Sequence, residues 1–137
     1  MSQDWEQIRA AYPELVGPLK FLYELPSRYL QLKVEFGTGK THVTFSAYPR
    51  YGRKKLHIYN VCPYENPVVY FHPNTFGALF GADGPDWFSR RLNEAFGSDI
   101  RVGKKGYYHI INLADIDKRR DEMSSLLHDV VDRLSQH

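Results

Sequence analysis

Residues 30–59 read LQLKVEFGTGKTHVTFSAYPRYGRKKLHIY, and the alternation within this stretch decides the fold. Leu30, Leu32, Val34 and Phe36 alternate with Gln31, Lys33 and Glu35. After Gly37-Thr38-Gly39-Lys40, Val43, Phe45 and Ala47 alternate with His42, Thr44, Ser46 and Tyr48. A second turn-rich segment, Pro49 to Lys54, precedes Leu56 and Ile58, which alternate with Lys55, His57 and Tyr59. Successive side chains of a strand point to opposite faces, so a period of two marks a strand with one apolar and one polar side. Connections this short join antiparallel neighbours. The stretch predicts a three-stranded antiparallel meander whose apolar face must be covered.

The cover comes from both flanks. Asp4 is placed to cap a helix over 5–12, where Trp5, Ile8, Ala11 and Tyr12 recur at helical spacing before Pro13. A second helical stretch, 14–25, carries Leu15, Leu19, Phe21 and Leu22 up to Pro26, with Gly17 and Pro18 weakening its first turn. On the other side, Val68-Val69-Tyr70-Phe71 is a short apolar run that suits a strand buried on both faces. A short helix from Asn74 to Phe80 follows, then a second with Trp87, Phe88, Leu92, Ala95 and Phe96 on one face, ended by Gly97. The rings around the intervening glycine-rich loop are expected to anchor these small helices on the sheet. Segments 99–102 and 107–113 flank Gly103-Lys104-Lys105-Gly106 as a hairpin. One last helix, from 114 or 115 to 134, carries the stripe Ile116, Met123, Leu126, Leu127, Val130, Val131 and Leu134. The expected architecture is α+β: a single domain over residues 1–137, an antiparallel β-meander sheet with N- and C-terminal helices packed on its apolar face.

Composition agrees with a packed core, because 137 residues with 42% hydrophobic and 15% aromatic content are too apolar for a disordered chain. The one cysteine, Cys62, leaves no intramolecular disulfide. The first thirty residues show no basic start followed by a continuous apolar run, and no run approaches the length of a bilayer span, so a cytoplasmic, non-membrane protein is expected. Net charge is only +2, but it is segregated. Between Ser27 and Leu113 stand twelve Lys or Arg against six acids, while the two ends are acidic. Such asymmetry creates a local field despite a modest total.

Three turns combine glycine with cations: Gly37-Thr38-Gly39-Lys40, Gly52-Arg53-Lys54-Lys55 and Gly103-Lys104-Lys105-Gly106. Loop cations reach phosphate oxygens, and Tyr51, Tyr59, Tyr107 and Tyr108 nearby offer rings on which bases stack. Turns at alternate ends of a meander, however, do not all face one ligand. No turn carries a complete phosphate-loop or dinucleotide fingerprint.

Alternation further places His42, Thr44, Ser46 and Tyr48 in one polar row beside Lys55, His57 and Tyr59, with Lys33 on the first strand, so His42 and His57 are expected to be neighbours. His42-Val43-Thr44 is similar to the local pattern of phosphoesterases that use paired His-x-Thr or His-x-Ser motifs, but the second motif is missing. Six scattered histidines and one cysteine show no zinc spacing, and no cofactor or metal is expected. His72 and His109, in apolar company, read as core residues, and Cys62 as a small filler.

These features point to a non-enzymatic binding module for nucleic acid or another phosphate-bearing ligand. Lys33, Lys55, Tyr59, Arg53, Lys54, Lys104 and Lys105 would form its contact surface. A protein-binding regulator or inhibitor of the immunity or accessory type is the first alternative. The second is a metal-independent phosphoesterase or nuclease using His42 and His57, with Thr44 beside them.

Overall fold

The computed structural model describes residues 4–38, 42–50, 56–64, 66–103 and 108–136. Asp4 caps α1 (Trp5–Ala11) with a full capping box: its carboxylate accepts from the Gln7 backbone while the Gln7 side chain accepts from the Asp4 N–H. A 3-10 turn, Pro13–Leu15, leads into α2 (Val16–Glu24), and a second one, Pro26–Arg28, turns the chain toward the sheet.

Strands β1 (Leu32–Phe36), β2 (Phe45–Pro49), β3 (Tyr59–Cys62) and β4 (Val68–Phe71) form an antiparallel meander. The chain then leaves the sheet through α3 (Thr75–Phe80) and α4 (Gly84–Phe96), the latter ended by Gly97 at φ +48, a conformation natural to glycine. It returns as β5 (Arg101–Val102) and β6 (His109–Asn112). Among the described residues the strand order is β1-β2-β3-β4-β6-β5, with β6 paired to β4 and β5 at the edge. The short helix α5 (Leu113–Asp117) and the longer α6 (Arg120–Leu134) complete the chain. No described helix is long and apolar enough to cross a membrane.

One face of the sheet carries the core. Leu32, Phe45, Ala47, Tyr59, Val61, Val69, Phe71 and Ile111 join the buried stripes of all six helices in a single cluster. Its aromatic content is concentrated in two places. Trp5, Tyr23, Phe36 and Phe45 pack edge to face under α1, with Trp5 and Tyr23 centroids 5.1 Å apart. Phe71, Phe76, Phe88 and Phe96 tie α3 and α4 to the sheet, Phe76 stacking on Phe88 at 4.1 Å. The rings of segment 74–87 do serve as an anchor. Arg133 of α6 lies over Phe80 and Trp87, 4.6 and 4.8 Å from their centroids, and pairs with Asp83 at 2.8 Å.

Two expected elements differ from the observed ones. The single last helix is broken at Lys118-Arg119, where Arg119 leaves helical geometry at φ −128, ψ 49. Its guanidinium reaches back to the Ala95 carbonyl at 3.3 Å and to Asp99 at 3.1 Å, placing a cation at the C-terminal end of α4. The third strand runs from Tyr59 to Cys62 rather than from Lys55 to Tyr59. Ile58 and Tyr59 are both buried, so the alternation changes phase there: Tyr59 and Val61 point inward, Asn60 and Cys62 outward. Tyr59 enters the core because its hydroxyl donates to the Leu22 carbonyl of α2 at 2.7 Å. Burial pushes the phenol far above its ordinary range, so it stays protonated and remains a donor.

Two substitutions test this packing. A Cβ built on Gly84 overlaps the Phe76 carbonyl oxygen, so Gly84→Ala is expected to open the α3–α4 corner and cost more than about 2 kcal/mol by denaturant unfolding. Tyr59→Phe keeps the ring but strands the Leu22 carbonyl, and is expected to cost about 1–2 kcal/mol. An unchanged midpoint in either variant contradicts the corresponding contact.

Candidate functional site on the outer sheet face

The face turned away from the core is set by strand register. Lys33 stands opposite Tyr48 on β1 and β2. Beside that pair one row crosses the whole sheet, Glu35, Ser46, Asn60, Tyr70, Ile110 and Arg101, each Cα paired with the next. A further row holds Cys62, Val68 and Asn112. Tyr48 and Val68 are buried yet stand outside the core cluster, which marks this as a separate layer of packing.

Five rings form a chain along this face. Tyr48 meets His57 at 4.9 Å, His57 meets His72 at 5.4 Å, His72 meets Tyr108 at 5.5 Å, and Tyr108 meets Tyr70 at 5.8 Å. Lys33 Nζ lies 5.7 Å from the Tyr48 centroid and pairs with Glu35 at 3.1 Å. A polar thread underlies the rings. His72 Nε2 donates to the Asn60 side-chain carbonyl, and the Asn60 amide donates to the Ser46 hydroxyl. The His57 backbone carbonyl is held by the Thr75 hydroxyl at 2.6 Å, which fixes the start of β3 against α3.

Access is uneven. Tyr48 and Ser46 are only 7% exposed, His57, His72 and Tyr70 are half-buried, and Tyr108 is 38% exposed. The reachable part therefore lies toward β4, β6 and β5. There a pocket of about 230 Å³ is bounded by Cys62, Tyr64, Asn66, Tyr70, Arg101 and Ile110.

The residues expected from sequence divide accordingly. Lys33 and His57 face the outer layer as expected. Tyr59 does not: it is fully buried, because the phase change at Ile58 turns it inward onto Leu22. The expected juxtaposition of His42 and His57 is likewise overturned. His42 stacks on Tyr64 at 3.9 Å beyond the first residue of β2, and Thr44 precedes that residue directly, whereas His57 adjoins Tyr48 near the strand's other end. The cause is again the later start of β3. Lys40, Arg53, Lys54, Lys55, Lys104 and Lys105 lie outside the described residues.

The flanks of two basic segments nevertheless share one end of the sheet. Arg50 and Leu56 bound the first segment, and Gly103 and Tyr108 bound the second, with Gly103 N–H donating to the Tyr108 carbonyl at 2.8 Å. Pairing of Ala47 with Tyr59, Tyr59 with Phe71 and Phe71 with His109 aligns these ends. The turn after β1 leaves from the opposite end.

Sequence reasoning passed over Asn60, Asn66, Tyr64, Tyr70 and Arg101 as site residues, and read His72 as core. Tyr70 was hidden inside an apolar run that is outward-facing at Val68 as well. The signal for Asn60 was the alternation Tyr59-Asn60-Val61-Cys62, which continues the sheet one strand-length later than the Leu56-Ile58 pair suggested.

Burial, followed by the neighbouring His57, lowers the His72 pKa from 6.5 to about 4. Burial also lowers that of His109. Among the described residues no group of three or more His, Cys, Asp or Glu is arranged to hold a metal ion. Comparison with protein-family models, with curated proteins and with solved structures finds no significant match.

Between about pH 6.5 and 4 the unfolded chain binds a proton at His72 that the folded protein does not, so stability is complete above that window and falls as pH drops through it. Thermal unfolding midpoints measured from pH 7 to 4 are expected to fall less steeply for His72→Gln than for the parent chain. Parallel curves contradict the assignment.

Proposed function

We propose that this protein is a binding module that takes single-stranded nucleic acid on the β4–β6–β5 half of its outer sheet face. The observation that carries the reading is the reachable end of the ring chain, where His72, Tyr108 and Tyr70 meet on the sheet face opposite the main core cluster. Every base has a π-face, so rings at stacking distance from solvent accept bases with little regard to sequence. Bases inside a duplex are stacked on each other and out of reach of such rings, which favours a single strand.

Electrostatics support the same orientation. Arg101 stands at the end of the cross-sheet row, beside the pocket that contains Tyr64 and Tyr70. The sequence adds Arg53, Lys54 and Lys55 in one connection and Lys104 and Lys105 in another, and the described flanks of both lie at the end where His57, His72 and Tyr108 meet. In this reading the cations hold phosphates and the rings hold bases. A neutral His72 suits the role, since it keeps its hydrogen bond to Asn60 and presents an uncharged ring.

The test is a fluorescence-anisotropy titration of labelled single-stranded and duplex oligonucleotides at several salt concentrations. The single strand is expected to bind more tightly, with affinity falling linearly on a log–log plot against salt. Tyr108→Ala is expected to weaken binding by about 1–3 kcal/mol without flattening the salt slope. Lys54→Glu combined with Lys55→Glu should weaken binding and flatten the slope. Absence of binding to either form at low salt contradicts the proposal.

A further inference from the structure

A second, larger cavity lies around the corner from the ring chain, on the flank where α2 begins and β6 runs into α5. It encloses about 520 Å³, within the range of roughly 300–1,000 Å³ usual for small-molecule sites. Leu15, Pro18, Pro67 and Leu113 supply an apolar wall. The Leu113 N–H donates to the Pro67 carbonyl at 3.0 Å, which fixes the β6–α5 junction to the start of β4.

The polar groups of this cleft are few and differ in how far they are satisfied. Asp117 is neutralised by Arg120 at 2.5 Å. Arg101 has no carboxylate partner among the described residues; one guanidinium nitrogen donates to Asn112 Oδ1 at 2.8 Å. That bond holds the guanidinium at the cleft wall and leaves its other N–H groups for a ligand. It also occupies the Asn112 carbonyl, so the remaining hydrogen-bonding capacity of Asn112 includes its amide donors. Asn66, the third polar group, borders both this cleft and the smaller pocket on the sheet face.

We propose that the cleft binds an organic monocarboxylate, with the carboxylate on Arg101 and the amides of Asn66 and Asn112, and an apolar body against Leu15, Pro18 and Leu113. A guanidinium fork matches the two oxygens of a carboxylate in one plane. Among the described residues the cleft offers one positive charge without a carboxylate partner, so one negative charge completes it, and a dianionic head would bring a second charge with no described cation left to pair it. The mainly apolar wall selects acids with a hydrocarbon body over small polar ones. This inference shares Arg101 and Asn66 with the sheet-face pocket of the nucleic-acid reading but rests on a different cavity, so either can fail without the other.

The experiment follows backbone amide shifts of ¹⁵N-labelled protein during titration with 4-phenylbutyrate, with the uncharged 4-phenylbutanol, and with phenyl phosphate. Saturable shifts at Asn66, Asn112, Leu113 and Ala114 are expected with 4-phenylbutyrate, and weaker binding of the other two. Arg101→Gln, at an exposed position, is expected to reduce 4-phenylbutyrate affinity by roughly tenfold or more. Ala114→Phe, on the cleft wall at an exposed helical position, should block the cavity while leaving oligonucleotide binding as it was. The proposal is overturned by equal affinity for the acid and the alcohol, by an unaffected Arg101→Gln variant, or by no saturable shift at these residues up to a few millimolar.

Discussion

The hydrogen bond from Tyr59 to the Leu22 carbonyl, buried between the middle of the sheet and α2, is the contact on which the arrangement depends. A strand's side chains alternate, so committing one residue to the core commits all its neighbours on that strand. With Tyr59 and Val61 inward, Asn60 and Cys62 must face out. A slip of one residue would bury Asn60 without the partners it finds outside and expose the largest fully buried ring of the core. The bond thus fixes the docking of α2 and, in the same step, the chemistry of the opposite face.

That opposite face is built from parts no single strand supplies. The row from Glu35 to Arg101 crosses six strands and runs from an acid at one edge to a cation at the other. The ring chain joins residues from β2 and β4 with His57, His72 and Tyr108, which flank β3, β4 and β6. The Ser46–Asn60–His72 thread gives these rings a shared polar floor, because each of the buried side-chain groups involved finds a partner in it. The pocket at Tyr64, Tyr70 and Arg101 and the larger cleft beyond it meet at Asn66 and Arg101, so one guanidinium borders two cavities of different character.

Much of the architecture was legible because it rests on periodicity. The strands at 32–36 and 45–49, the apolar run 68–71, the capped first helix and the aromatic faces of α3 and α4 all repeat at the spacing their geometry requires. The departures have local causes. A tyrosine reads as amphipathic, and whether its hydroxyl faces water or a backbone carbonyl is decided by a helix thirty-seven positions earlier, at Leu22. Hence the phase of the third strand, and with it the neighbours of His57, did not follow from alternation alone. The break at Arg119 follows from a guanidinium that reaches Ala95 and Asp99 on another element, a tertiary preference absent from the helical stripe itself. Arg101 was one cation among many in the sequence. Its distinction is positional: an edge strand of two residues sets it beside Asn112 and between two cavities.

The direct measurement for the central claim, that the ligand surface is the face opposite the core, is a residue-by-residue map of the bound state. Titration of an unlabelled single-stranded oligonucleotide into ¹⁵N-labelled protein, followed by backbone amide shifts, supplies it. The account predicts perturbations centred on Tyr70, His72, Arg101, Tyr108 and Ile110, with α4 and α6 unmoved. Shifts centred on the helical layer, with the outer sheet residues unchanged, would contradict it.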